Sequence, residues 1–185
     1  MMTLNTIIKS ETDGVMVPIP QYPLYSAAIS LFGGQRVDYM MKSQDERWVV
    51  DVENMKENLV KSKVKGHNVR CIVIINPGNP AGNVLSYENG LEILKIAEEE
   101  DIIVIADEVY QANVYTEDKP FVSLRKIAIE NSMNNRIISL HSASKGYTGE
   151  CGLRGGYMHM RNIPELLREN MLKLASIGLC SSTIG

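Results

Sequence analysis

The sequence lacks any long apolar run: nothing in its 185 residues approaches the length needed to span a bilayer. Met1 to Gly14 mixes polar residues into a short apolar stretch and does not read as a secretory leader, so the cytoplasm is the expected location. Cysteine is scarce. Cys71, Cys151 and Cys180 are odd in number, widely spaced and free of any Cys-x-x-Cys pair. They indicate neither a zinc site nor a disulfide framework, and they suit a reducing compartment. A basic patch is missing too. With 19 Lys and Arg against 22 Asp and Glu the net charge is −3, which argues against a nucleic-acid partner. No repeat, linker or low-complexity segment divides the chain, so its length predicts one domain with a real core. Two catalytic signatures are also absent: the G-x-x-x-x-G-K-[ST] phosphate loop and the G-x-S-x-G nucleophile elbow.

What is present is an alternation of strands and helices. Val15-Met16-Val17-Pro18-Ile19-Pro20 reads as a strand that its prolines stop or bend. Tyr22 to Leu31 reads as a helix closed by Gly33-Gly34, and Gln35 to Met41 as the next strand. Asp51 is placed to cap a helix to about Lys63, with Val52, Met55 and Leu59 on one face. Arg70 to Ile75 is a continuous apolar strand, a pattern that suggests burial on both faces. Ser86 starts a helix to about Glu100 with a stripe of Tyr87, Leu91, Leu94 and Ala97; its acidic end, Glu98 to Asp101, reads as solvated. Ile102 to Ala106 is a second buried strand, Leu124 to Glu130 a helix, Arg136 to Leu140 a third buried strand and Gly156 to Met160 one more. Pro164 fits the first turn of a last helix carrying Leu166, Leu167, Leu174 and Ile177. This order predicts an α/β fold: a three-layer αβα arrangement about a doubly wound, mostly parallel sheet.

Four polar motifs each follow a strand: Gln21-Tyr22, Asn76 to Gly82, Asp107 to Tyr110, and Ser142 to Lys145. In a parallel sheet these ends share the carboxyl edge, where such folds bind ligands. Singly, each has a plainer explanation. Asn-Pro-Gly-Asn-Pro is a common turn sequence, a lone lysine is usually a solvated surface group, and Tyr22 alone would be core or helix surface. The apolar strand ending in Asp107-Glu108 resembles a Walker B segment, but its partner loop is lacking. Together the motifs gather an amine, a carboxylate, a phenol, an amide, an aromatic ring and hydroxyls. That is the set pyridoxal phosphate needs. An amine forms the Schiff base, and a carboxylate keeps the ring nitrogen protonated. Hydroxyls and an arginine hold the phosphate. A phenol and an amide bond the ring oxygen and lower the imine's pKa.

The segments 18–26 (Pro-Ile-Pro-Gln-Tyr-Pro-Leu-Tyr-Ser), 76–82 (Asn-Pro-Gly-Asn-Pro-Ala-Gly), 107–111 (Asp-Glu-Val-Tyr-Gln) and 142–157 (Ser-Ala-Ser-Lys-Gly-Tyr-Thr-Gly-Glu-Cys-Gly-Leu-Arg-Gly-Gly-Tyr) resemble the fold type I pyridoxal-phosphate aminotransferases, and most closely their alanine branch. The resemblance implies that Lys145 is the Schiff-base lysine and Asp107 the partner of the pyridine nitrogen. It implies that Tyr110 and Asn79 bond the ring oxygen and that Tyr22 stacks on the ring. Ser142 and Arg154 match phosphate ligands, and Ser144 is a further candidate. The implied reaction moves an amino group between L-alanine and 2-oxoglutarate, giving pyruvate and L-glutamate. Lys145 would act as the base near neutral pH in a hydrophobic, cofactor-filled site. The implied partners are amino-acid and 2-oxo-acid substrates and a second copy in a homodimer.

The resemblance also implies that residues 1–185 form part of a cofactor-binding large domain, without the N-terminal arm, the first strand and the small domain of the family. One strand, Gly156 to Met160, would then run antiparallel at an open edge. Two other expectations compete with alanine transamination: a piece that binds cofactor or pairs with a subunit without turnover, and a lyase reaction on the same scaffold.

Overall fold

A computed structural model describes residues 1–44, 47–147 and 149–178. Its centre is a seven-stranded sheet built from β1 (Asp13–Ile19), β2 (Gln35–Gln44), β3 (Arg47–Val50), β4 (Asn68–Ile75), β5 (Ile103–Asp107), β6 (Ile137–Ser142) and β7 (Gly156–Arg161). The spatial order is β3-β2-β1-β4-β5-β6-β7. The five inner strands are parallel, as the apolar runs predict. Sequence reasoning expects one antiparallel strand; the sheet has two, β7 against β6 and β3 against β2. The second was not legible because Arg47-Trp48-Val49-Val50 is only four residues long and begins outside the core.

Both faces of the inner strands are covered. Val15, Val17, Cys71, Val73, Ile105 and Ile138 pack toward α1 (Met2–Ile7), α2 (Leu24–Leu31) and α6 (Glu165–Ser176). Met16, Ile72, Ile74, Val104, Ala106 and Ile137 pack toward α3 (Val52–Val64), α4 (Tyr87–Glu99) and α5 (Leu124–Glu130). Alternate residues of each strand therefore serve opposite layers, which is why these strands are apolar throughout. Among the described residues no helix is long and apolar enough to cross a membrane.

Helix boundaries follow local chemistry. The side chains of Asp51, Ser86 and Ser123 each accept a backbone N–H from three residues on, capping α3, α4 and α5. Gly33 turns the chain after α2 at φ +73°, a conformation that favours glycine.

Several sequence readings need correction. Residues 2–7, given no element, form α1, whose Leu4 and Ile7 are buried. Tyr22 and Pro164 stand before their helices rather than inside them: Pro23 caps α2 and Pro164 itself caps α6, each supplying no N–H to a turn that could not use one. On α6, Met171 is fully buried while Leu166 and Ile177 are exposed. Ile163 and Leu167 pack against the same cluster as Met171, so the buried face follows a four-residue spacing that leaves Leu166 to one side. The acidic end of α4 is also more engaged than expected. The Glu98 side chain accepts from the Asn134 N–H at 2.6 Å, and Glu100 and Asp101 pair with Lys63 and Arg136. Thr148 and Cys180 lie outside the described residues.

Candidate active site

Because β1, β4, β5 and β6 are adjacent and parallel, the four polar motifs emerge side by side at the carboxyl edge. There Tyr22, Leu24, Ile75, Asn79, Asp107, Val109, Tyr110, Ser142 and Lys145 line a recess of about 140 Å³. Six of the eight residues singled out from sequence thus share one cavity. The other two join it by hydrogen bonds. The Ser144 N–H donates to Ser142 Oγ at 3.1 Å. Arg154 Nη1 donates to Ser144 Oγ at 3.4 Å and to the Cys151 carbonyl at 2.9 Å. A larger, open groove of about 720 Å³ lies between β3 and α4, but its lining mixes Lys42, Arg47 and Lys119 with Glu53, Glu88 and Glu92. None of its side chains is buried without a partner, so nothing there converges on a ligand.

The loop after β4 is tied down by its own backbone. The Gly78 N–H donates to the Asn83 carbonyl at 2.8 Å and the Gly82 N–H to the Gly78 carbonyl at 3.0 Å. Asn76 is buried; its Oδ1 accepts from the Leu85 N–H at 2.9 Å and its N–H donates to the Asp107 carbonyl at 3.0 Å. Asn79 is therefore held at a fixed height beside Asp107. After β6 the chain folds back on itself: the Ala143 N–H donates to the Gly155 carbonyl at 2.9 Å and the Glu150 N–H to the Ala143 carbonyl at 3.0 Å. Gly156 is required for this return, because a Cβ there would stand 2.3 Å from the His141 carbonyl oxygen.

Asp107, the last residue of β5, is the electrostatic centre. Its Oδ2 accepts from the Tyr25 hydroxyl at 2.5 Å. Its Oδ1 is buried and has no partner. Burial raises the Asp107 pKa, opposed first by the Tyr25 hydroxyl, then by the Val109 N–H and last by the Lys145 charge. Lys145 is exposed, with Nζ 5.5 Å from the centroid of the Tyr110 ring. The Tyr110 hydroxyl beside it raises its pKa. Sequence reasoning expects an amine brought toward neutrality in a hydrophobic, cofactor-filled site. At this open edge the amine is hydrated, so the desolvation needed for that shift is small.

Two contributors escaped sequence reasoning. Tyr25 is 5% exposed, and burial followed by the Asp107 charge pushes its pKa well up, so it stays protonated and can only donate to the carboxylate. Its one signal was its place three residues after Tyr22, at the start of a helix. Glu108 is 6% exposed and accepts from the Leu124 N–H at 3.0 Å, supplying one of the acceptors that the first turn of α5 lacks. Burial pushes its pKa up to about 7.

This donor set fits pyridoxal phosphate. The buried, unpartnered Asp107 Oδ1 is the acceptor that a protonated ring nitrogen needs. Ser142, Ser144 and Arg154 form one hydrogen-bonded group of the kind that holds a phosphate. Lys145, Tyr110 and Asn79 line the same recess, and Tyr22 supplies an aromatic wall.

The chain is similar to known proteins along its whole length. The family model for aminotransferase class I and II matches residues 2–185. Glutamate–glyoxylate aminotransferase 1 of Arabidopsis thaliana is 46% identical over 183 residues, covering 97% of this chain and 38% of that protein. Alanine aminotransferase 1, mitochondrial, of the same plant is 44% identical over 187 residues, covering all of this chain and 34% of that protein. Among solved structures, alanine aminotransferase from Pyrococcus furiosus superposes with a TM-score of 0.82 at 28% identity, covering 99% of this chain and 44% of that one. The chain thus spans well under half the length of the relatives it matches. With the family model matched from the second residue to the last and the carboxyl-edge residues gathered as described, the chain belongs to the aminotransferases of class I and II.

Proposed function

We propose that this chain is the cofactor-holding part of an aminotransferase that moves an amino group between L-alanine and 2-oxoglutarate. The observation that carries this reading is the pairing, in one recess, of the half-satisfied Asp107 carboxylate with the Lys145 amine. When bound, pyridoxal phosphate supplies an electron sink for charge developing at the substrate α-carbon. The protein supplies the rest. Asp107 holds the proton on the ring nitrogen. Ser142, Ser144 and Arg154 anchor the phosphate. Tyr110 and Asn79 donate to the ring oxygen, and the Tyr22 ring limits tilt and excludes water from one face. The Lys145 amine would hold the cofactor covalently and would serve as the base at the substrate α-carbon, carrying the proton between that carbon and the cofactor. Filling the recess desolvates that amine and lowers its pKa from the raised value of the bare edge, the direction a base at neutral pH requires.

The test is direct. Adding pyridoxal phosphate to the 185-residue chain gives an absorbance band at the edge of the visible, and Lys145→Ala abolishes it. A wild-type chain with no such band sinks the cofactor reading. A second reading of the substrate rests on the 46% identity to an enzyme named for glutamate and glyoxylate. Product analysis with alanine and 2-oxoglutarate, against glutamate and glyoxylate, separates the two, and release of ammonia instead of a new amino acid would indicate a lyase. Because the matched relatives are much longer, turnover is assayed with the chain alone and with its flanking sequence restored. A homodimer is part of the proposal, supported by the exposed apolar Leu24 and Leu31 on the helix after Tyr22, and sedimentation tests it.

A further inference from the structure

We propose that Tyr25 is a positioning residue that locks Asp107 into the orientation and charge state from which it can recognise a protonated ring nitrogen, so that the pocket discriminates a pyridinium from an isosteric ring with no nitrogen. The inference rests on the cofactor reading above and adds a residue and a selectivity to it.

Three observations carry it. First, the bond is short and enclosed. The Tyr25 hydroxyl meets Asp107 Oδ2 at 2.5 Å, and Tyr25 is 5% exposed, so water has little access to the hydroxyl. Second, the bond is one-sided. Of the two carboxylate oxygens, Oδ2 takes the Tyr25 hydroxyl, while Oδ1 is buried and unpartnered. A donor fixed on Oδ2 stops the group from rotating about its Cβ–Cγ bond, and so reserves Oδ1 for a second donor. Third, the partners come from far apart. Tyr25 sits in the first turn of α2 and Asp107 at the end of β5, 82 residues later. A tyrosine that only filled space would not need its hydroxyl aimed at a charged group across two strands.

Protonation states follow from the same geometry. The phenol is held protonated by its burial and by the neighbouring carboxylate, so it donates and never accepts. Burial pushes the carboxyl toward its neutral form, and the phenol is the first influence opposing that. Without it Asp107 would carry less charge, and a neutral carboxyl cannot form the charge-assisted bond to a ring N–H⁺. Tyr25 therefore acts through Asp107 on the nitrogen alone; phosphate, aldehyde and ring stacking belong to other residues.

The experiment measures binding. The full chain and Tyr25→Phe are titrated with pyridoxal phosphate and with its 1-deaza analogue, in which a C–H replaces the ring nitrogen. Phenylalanine keeps the ring and removes only the hydroxyl. The variant is expected to bind pyridoxal phosphate roughly tenfold more weakly and the deaza analogue within about twofold of wild type. Equal losses for both ligands, or no loss for either, overturns the inference while leaving the cofactor reading intact. A wild-type chain that binds neither ligand overturns both. Should Tyr25→Phe not fold, the unaltered chain still decides. The downfield resonance of the Tyr25 hydroxyl proton must move on binding pyridoxal phosphate, which draws charge from the carboxylate, and stay in place with the deaza analogue; the same shift with both ligands refutes the proposal.

Discussion

Asp13 and Asp107 are both largely buried carboxylates at opposite edges of one sheet, and the protein treats them in opposite ways. Asp13 opens β1 at the amino edge. Its Oδ2 accepts the N–H groups of Lys9 and Ser10 at 2.8 and 2.9 Å, and its Oδ1 accepts Arg70 Nε at 2.7 Å. Burial alone would raise its pKa, but the Arg70 guanidinium and the two backbone donors outweigh burial and hold it below the ordinary carboxylate value. Asp107 closes β5 at the carboxyl edge with one oxygen bonded, the other bare and its pKa raised by burial. The difference separates architecture from a binding site. A carboxylate whose oxygens are all satisfied has no use for a ligand, and one left half-satisfied in the interior is a cost that a ligand removes.

The largest effect should come from breaking the satisfied end. Asp13→Ala strands two backbone donors and takes the carboxylate from Arg70, leaving it only the Asn68 side-chain oxygen. Arg70 is half exposed and recovers some hydration, so the expected loss is about 3 kcal/mol, toward the low end for a broken buried pair. Denaturant unfolding measures it. The sign with pH follows from the lowered pKa: the stability Asp13 contributes is present above the ordinary carboxylate range and is lost as pH falls through its depressed folded value. Acid titration of Asp13→Ala should show that component missing, while cofactor affinity, per folded molecule, stays unchanged.

Glu108 sharpens the contrast, since it lies beside Asp107 yet serves a helix. Its pKa is raised from 4.5 to about 7, so between those values the folded chain keeps a proton that the unfolded chain gives up. Its contribution is fully present below about pH 4.5 and is lost as pH rises to about 7. Glu108→Gln keeps an acceptor for the Leu124 N–H and carries no charge. It should be more stable than wild type at pH 8, by on the order of 2 kcal/mol, and no different at pH 4. Equal stabilities at both pH values would show that Glu108 is hydrated and does not share Asp107's penalty.

What sequence could and could not reveal follows the same line. The parallel strands were legible because burial on both faces forces runs such as Cys71-Ile72-Val73-Ile74-Ile75, which need no partner to be recognised. The candidate site residues other than Arg154 were legible because each lies at or just past a strand end, and parallel order brings such ends together; Arg154 entered only through the resemblance. β3 was not, because four residues with Arg47 and Trp48 outward leave too little pattern. The buried face of α6 was misread because leucines outnumber the single methionine that is enclosed. Tyr25 was missed for a stronger reason. Its role depends on β1 lying two strands from β5, a fact of topology on which its own neighbours in the chain carry no information.

The smallest effect on stability should come from Asp107→Asn, and that is its value. Asparagine offers the Tyr25 hydroxyl the same kind of acceptor and removes a buried charge whose pKa is already raised, so unfolding should change by about 1 kcal/mol or less and in the stabilising direction at neutral pH. Cofactor affinity should nonetheless fall roughly tenfold to a hundredfold, because a neutral amide cannot pair with a ring N–H⁺ as a carboxylate does. Asp13→Ala predicts the reverse on both measurements. If Asp107→Asn instead unfolds the chain while leaving affinity intact, the bare oxygen is a structural defect and the division between the two ends of the sheet fails. If the two variants move stability and affinity in opposite patterns, the carboxyl edge is kept at a small cost in the free chain for the sake of what binds there.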